Sequence, residues 1–85
     1  MWNMQKYFVY IAHSLKTGIY YTGYTSDVIA RLQCHNSGKT KSLRRHRPLE
    51  IIRVEEYNTK IEARRREIQI KSFKSGEAFK KLIGK

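Results

Sequence analysis

The stretch "YFVYIAHSLKTGIYYTGYT", Tyr7 to Thr25, decides the fold. Its first part, "YFVYIAH" (7–13), is rich in aromatic and β-branched residues and fits a pleated strand. It is apolar nearly throughout, so both faces of that strand are expected to be covered. "SLKT" (14–17) is polar and turn-like, Gly18 follows, and "IYYTGYT" (19–25) reads as a second strand. The two are expected to form a hairpin. Side chains alternate between faces along a strand, so the neighbours Tyr20 and Tyr21 point to opposite sides. "GIYYTG" (18–23) therefore cannot be one site by itself. With 14–17 as the loop, His13 lies opposite Gly18, Ala12 opposite Ile19, Ile11 opposite Tyr20 and Tyr10 opposite Tyr21. Opposed residues share a face with Cβ atoms ~4.5–5.5 Å apart, which predicts a pair of phenols, Tyr10 and Tyr21. Such an aromatic pair also stabilises a hairpin with no chemistry attached.

Downstream, Thr25-Ser26-Asp27 offers N-capping side chains for a helix through "VIARLQCHNS" (28–37), which Gly38 stops. The basic segment "KTKSLRRHR" (39–47) follows and ends at Pro48. "LEIIRVEEY" (49–57) reads as a third strand from its β-branched content. Thr59 with Glu62 three residues on is a capping box opening a helix over 60–74. Ile61, Ile68, Ala63, Ile70 and Phe73 are expected on its core-facing side. Ser75-Gly76 breaks it, and "EAFKKLI" (77–83) makes a short last helix. The order β-β-α-β-α, with that tail, predicts an α+β fold: a small three-stranded antiparallel sheet with flanking helices. The chain, residues 1–85, is expected to be one domain.

Eighteen Lys and Arg against seven Asp and Glu give a formal charge of +11. A small folded domain with that excess is expected to meet a polyanion, and nucleic acid is the expected partner. No stretch approaches the ~18 apolar residues of a spanning helix, so no membrane partner is expected. The N-terminus, Met1-Trp2-Asn3-Met4-Gln5-Lys6, lacks a leader's apolar stretch and cleavage site. Cys34 is the one cysteine, so no internal disulfide forms, in keeping with a reducing cytoplasm. Cys34-His35 is no zinc site, because a structural zinc takes about four ligands in spaced pairs.

The arrangement resembles the GIY-YIG nuclease superfamily, in particular its short stand-alone bacterial members. Phe8-Val9-Tyr10 stands in the place of "GIY", and Tyr21-Thr22-Gly23 in the place of "YIG". The first helix brings Arg31 and then His35-Asn36; the later helix brings Glu67 within "RRREIQIK". The likeness covers about residues 6 to 83. Each motif is short, but their order and spacing along strand, strand, helix and helix are specific together. Phe8 replaces the glycine of the first motif. Lys71, one turn after Glu67, stands where many relatives carry an asparagine.

The resemblance implies a metal-dependent endonuclease that hydrolyses DNA phosphodiester bonds, in DNA repair or processing. Arg31 and His35 lie four apart and share a helix face. A guanidinium forks onto phosphate oxygens, which suits Arg31 to the scissile phosphate. The reference pKa of His35, ~6.5, suits it to relay a proton or orient a tyrosine. The resemblance implies that one tyrosine of the pair takes the proton of water; Tyr21 is the first choice and Tyr10 the second. It also gives Glu67 to one Mg²⁺ or Mn²⁺, whereas on the residues alone a Glu67–Lys71 ion pair is the stronger reading. Lys39, Lys41, Arg44, Arg45 and Arg47, beside His46, look like a grip on nucleic-acid phosphates, which sets affinity and carries little sequence information. Arg64, Arg65 and Arg66 add charge that one helix cannot aim at a single ligand. Gly23 is expected to let a backbone or a phosphate approach closely. The chain has no room for a separate sequence-reading domain, so structure preference or a protein partner is expected to supply specificity. Two alternatives stand beside the nuclease: a binding module of the same fold without useful turnover, and a basic accessory protein of RNA or ribosomes.

Overall fold

A computed structural model describes residues 5–84. Met1 to Met4, which hold most of the N-terminal segment expected to lack a leader's features, and Lys85 lie outside the described residues. The element order is β1 (Tyr7–Ser14), β2 (Tyr20–Thr25), α1 (Val28–Asn36), a 3-10 helix (Lys41–His46), β3 (Leu49–Tyr57), α2 (Lys60–Phe73) and α3 (Glu77–Leu82). This is the expected α+β fold, with the 3-10 helix as an addition inside the basic segment. The sheet is antiparallel throughout, in the order β2-β1-β3. Central β1 is covered on both faces, as its composition predicts: Val9, Tyr10, Ile11 and Ala12 are all buried.

The hairpin register differs from expectation by two residues. His13 pairs with Tyr20, Ala12 with Tyr21, Ile11 with Thr22 and Tyr10 with Gly23. Ser14 is the reason. Its hydroxyl is buried, accepts from the amides of Lys16 (3.1 Å) and Thr17 (2.8 Å), and donates to the carbonyl of His46 (2.7 Å). These bonds hold 14–19 as a longer turn, closed by the Ser14 amide on the Ile19 carbonyl at 2.9 Å. A slip of one would have moved every side chain to the other face; a slip of two keeps the faces. Tyr10 and Tyr21 therefore still share a face, as diagonal neighbours rather than opposed ones.

One face carries the core of Val9, Ile11, Ala63, Ile70 and Phe79, under α2 and α3. The other carries Tyr10, Ala12, Leu43 and Leu49, with Leu32 of α1 packed on them. Both long helices are capped as their sequences predict. The Asp27 carboxylate accepts from the Ala30 amide at 3.0 Å, and Thr59 with Glu62 forms the reciprocal box. The inward side of α2 is narrower than expected. Ala63, Glu67 and Ile70 are buried, Phe73 is partly buried, and Ile61 and Ile68 are exposed. At about 3.6 residues per turn, positions two apart point to nearly opposite sides, so Ile61 cannot face inward with Ala63, nor Ile68 with Ile70. A carboxylate, Glu67, takes the slot between the two inward apolar residues.

Glu55 ties β3 to α2. It accepts from Arg53 (2.9 Å), Tyr57 (2.8 Å) and Arg66 (2.8 and 3.2 Å). Burial raises its carboxyl pKa, but the bonds from Arg66, Arg53 and Tyr57 outweigh this and bring it down to about 2. Arg66, of the three-arginine run, thus serves the fold. No helix among the described residues is long and apolar enough to cross a membrane.

Candidate active site

Tyr10 stands on the central strand and faces α1. Gly23, its partner on β2, makes room for it: a Cβ at position 23 would lie 2.6 Å from the Tyr10 hydroxyl and 2.8 Å from Cζ. The close approach anticipated at Gly23 is therefore made by this phenol, rather than by a backbone or a phosphate. Tyr10 Oη lies 2.9 Å from His35 Nε2, and His35 Nδ1 lies 2.6 Å from Thr40 Oγ1. Tyr10 and His35 are almost fully enclosed, at 2% and 1% exposure. A neutral imidazole donates through one nitrogen and accepts through the other, so the relay of three side chains satisfies every polar atom in either direction.

Tyr21 joins the pair from β2. Its ring centroid is 6.3 Å from that of Tyr10 and 5.3 Å from that of His35, the latter edge-on at 74°. Unlike Tyr10, Tyr21 is only half-buried and lines an open cleft. Tyr20 is not in this cluster. It stacks on His13 at 4.7 Å and meets Phe79 edge-on at 5.4 Å, on the α2 and α3 side.

The cleft encloses about 440 Å³, and Tyr10, Tyr21, Arg31 and Glu67 all line it. They come from β1, β2, α1 and α2. The sheet ends at β2, so helices packed on its two faces both reach this space. Arg31, one turn before His35, is exposed and lies at the open side. Glu67 is 5% exposed and is the one carboxylate lining the cleft among the described residues. Its Oε2 lies 3.0 Å from Lys71 Nζ, and its Oε1 is held by Arg64. The same two cations lie over cleft tyrosines: Lys71 Nζ is 6.0 Å from the Tyr21 ring centroid, and Arg64 Cζ is 5.9 Å from that of Tyr24. The Glu67–Lys71 pair anticipated as an alternative is present.

Burial separates the titrating groups. Enclosure pushes the Tyr10 phenol well above the ordinary tyrosine range, the Tyr21 phenol and Glu67 add to this, and Arg31 opposes it. Enclosure also lowers His35, and the Arg31 charge lowers it further. Both groups are neutral near pH 7, so Tyr10 and His35 form a fixed neutral pair.

For a divalent cation the donor set is sparse. Among the described residues, no three of His, Cys, Asp and Glu gather where they could hold a metal ion. One buried carboxylate oxygen-donor, beside phenols and open solvent, suits a hard ion that keeps most of its waters and gains ligands from a phosphate. Glu67 fits that description once Arg64 or Lys71 yields an oxygen.

The basic segment stands apart. None of Lys39, Lys41, Arg44, Arg45 and Arg47 lines the cleft, and all five are exposed. Arg44 Nε donates to the Gly38 carbonyl (2.9 Å) and Arg47 Nε to the Arg44 carbonyl (2.8 Å), which braces the segment. Asn36 is a brace as well: it donates to the Leu49 carbonyl and accepts from the Leu49 amide, at 3.1 and 2.8 Å. Sequence reasoning missed Thr40. Gly38, at φ +89°, turns the chain back after α1, and the positive φ favoured by glycine was the available signal. It also missed Tyr24 and Lys60, which line the cleft; a strand period of two places Tyr24 on the face opposite Tyr21, and only the end of the sheet brings them to one space.

Comparison with known proteins gives the family and agrees with the fold. Residues 6–79 match the GIY-YIG catalytic domain. A UPF0213 protein of Staphylococcus epidermidis is 42% identical over 80 residues, covering 93% of this chain and 96% of the relative. A UPF0213 protein of Staphylococcus haemolyticus is 40% identical over the same coverage. The solution NMR structure of a UPF0213 protein from Bacillus halodurans superposes with a TM-score of 0.59 at 32% identity, covering 93% of this chain and 83% of that one. The GIY-YIG domain is a nuclease-type fold, and it implies a nucleic-acid substrate. The chain belongs to the GIY-YIG catalytic-domain family, with the small bacterial UPF0213 proteins.

Proposed function

We propose that this chain is an endonuclease that hydrolyses DNA phosphodiester bonds at the cleft over β2, in DNA repair or processing. The observation that carries the proposal is the convergence of Tyr10, Tyr21, Arg31 and Glu67, from four separate elements, on one open cleft. The GIY-YIG family typically uses a divalent metal. Bound at Glu67, Mg²⁺ or Mn²⁺ would supply positive charge to phosphate oxygens. Arg31 forks onto the non-bridging oxygens, where negative charge builds. The Tyr21 oxygen, its own proton first lost to solvent, takes a proton from water as the water oxygen attacks phosphorus; the bond to the leaving oxygen breaks, and that oxygen takes a proton from solvent. Tyr10 does not exchange protons in this scheme. Held by His35 and Thr40, it fixes the position of the Tyr21 ring. The exposed basic segment grips flanking phosphates, and a DNA structure or a protein partner sets where cutting occurs.

One observation favours a second function, a binding module without turnover. Both oxygens of Glu67 are held by cations. Cleavage of nicked, branched and single-stranded DNA with Mg²⁺ or Mn²⁺ separates the two. Under the nuclease proposal the wild type cuts, and Arg31→Ala loses about two to three orders of magnitude while still folded. Tyr21→Phe and Glu67→Gln lose activity as well. Salt-sensitive binding with no cleavage of any substrate would overturn the nuclease in favour of the binding module.

A further inference from the structure

A second cavity, of about 570 Å³, adjoins the cleft and shares Tyr21 as a wall. That volume falls in the range of pockets that take one small ligand. Tyr20, Ile70 and Phe79 give it an apolar interior. Three exposed lysines, Lys71, Lys74 and Lys80, line it, and among the described residues no carboxylate does. Lys71 is engaged by Glu67, and Lys80 by Glu77 at 3.6 Å on the exposed helix surface. Lys74 makes no ion pair among the described residues. Its φ of +53° ends α2 and starts the chain toward α3.

An occupant must offer an apolar face and negative charge together. A nucleotide does: its base has a π face and its phosphates meet ammonium groups. The interior is built for a flat group, because Tyr20 is held by His13 on one side and by the edge contact with Phe79. Tyr20 to Thr22 line the cavity on a strand with a sheet neighbour on one side only, so polar backbone groups stand near the occupant. Continuity through Tyr21 places the cavity one step from the phosphate assigned to Arg31.

We infer that this cavity is a nucleobase subsite, which takes the unstacked base of a nucleotide flanking the scissile phosphate while Lys74 and Lys80 hold its phosphates. The position relative to the scissile phosphate rests on the nuclease function proposed above; the binding itself does not. Tyr20, excluded from the catalytic cluster by strand alternation, gains a role on its own face.

The test is amide NMR of the metal-free full chain, titrated separately with thymidine 5′-monophosphate, 2-deoxyribose 5-phosphate and inorganic phosphate. The expected result is that thymidine monophosphate shifts Tyr20, Ser75, Phe79 and Ile83, at concentrations about tenfold lower than deoxyribose phosphate requires. Lys74→Glu with Lys80→Glu, both at exposed positions, should weaken that binding and keep the wild-type spectrum elsewhere. Equal midpoints for the nucleotide and the base-free sugar phosphate would overturn the subsite. So would shifts confined to Tyr21 and Arg31. The two proposals fail differently. A chain that cleaves DNA with no shifts in this cavity loses the subsite and keeps the nuclease. A chain with those shifts that cleaves nothing loses the nuclease and keeps a nucleotide-binding cavity.

Discussion

Gly23→Ala should break the buried relay without replacing any of its side chains. An added Cβ would stand 2.6 Å from Tyr10 Oη, 2.8 Å from Cζ and 3.1 Å from Cε1. Ordinary carbon contacts begin at ~3.5 Å, so the ring must move by close to an ångström. On an exposed tyrosine that motion would be cheap. Tyr10 is 2% exposed, its hydroxyl is bonded to His35 at 2.9 Å, and His35 is itself 1% exposed. Overpacking a filled core costs about 1–3 kcal/mol. Losing the hydrogen bond leaves a buried imidazole nitrogen without a partner, at about 1–3 kcal/mol more. A destabilisation of about 3 kcal/mol is the expected total, since backbone relaxation recovers part of the sum. For a domain of this length it lowers Tm by roughly 10–20 °C. Denaturant unfolding measures it, with the His35 ring signals as a local reporter. Tyr10→Phe removes the nearest atom, so the two substitutions should be less than additive by about 1 kcal/mol in a double-mutant cycle. Stability of Gly23→Ala within about 0.5 kcal/mol of wild type would refute the close packing of Gly23 on Tyr10.

Three further outcomes are expected. Lys71→Gln should tighten divalent binding at Glu67: the pair at 3.0 Å, half-exposed at Lys71 and buried at Glu67, is worth about 0.2–1 kcal/mol, so Mn²⁺ affinity should rise up to about fivefold by calorimetry, and no change would mean that Lys71 does not compete with the ion. Glu55 should contribute to acid stability. Its folded pKa, about 2 against 4.5, is depressed, so its contribution is present above pH 4.5 and lost as pH falls through 2. The shift corresponds to roughly 3 kcal/mol, and Glu55→Gln should flatten the loss of stability between about pH 5 and 2; an unaltered acid profile would count against the ion-pair cluster. Replacing Arg44, Arg45 and Arg47 by Gln should lower the salt slope of DNA binding by about 0.7–0.9 for each phosphate no longer neutralised, and an unchanged slope would remove the segment from the interface.

Much of the site is legible in the sequence because its constraints are local. Strand parity separates Tyr20 from Tyr21 and joins Tyr10 to Tyr21, and it survives the two-residue difference in register. Helical spacing puts Arg31 and His35 on one face, and the caps of α1 and α2 are written in Asp27, Thr59 and Glu62. What stays hidden depends on bonds between residues distant in sequence. The longer turn follows from Ser14 bonding to His46, 32 residues away. The inward side of α2 reads too wide at Ile61 and Ile68, because residue type suggests burial where helical phase denies it, and because an acidic residue, Glu67, holds an inward position. Thr40 becomes a partner of His35 only through the turn at Gly38.

The division between Tyr10 and Tyr21 bears on which phenol would do the chemistry under the proposed function. A general base must lose a proton, regain it and meet water. Tyr10 meets none of these needs: it is enclosed, bonded to a neutral imidazole, and raised by burial away from the accessible range. His35 cannot relieve it by charging, since the same enclosure and Arg31 disfavour the imidazolium. Tyr21 faces the cleft, with Lys71 over its ring and Arg31 on the same cleft wall. The two tyrosines that strand alternation brings to one face are thus made unequal by what covers them. Removing the Tyr10 hydroxyl should then act through stability and the orientation of Tyr21 and leave measurable cleavage, whereas Tyr21→Phe should abolish cleavage in a chain that still folds with wild-type stability.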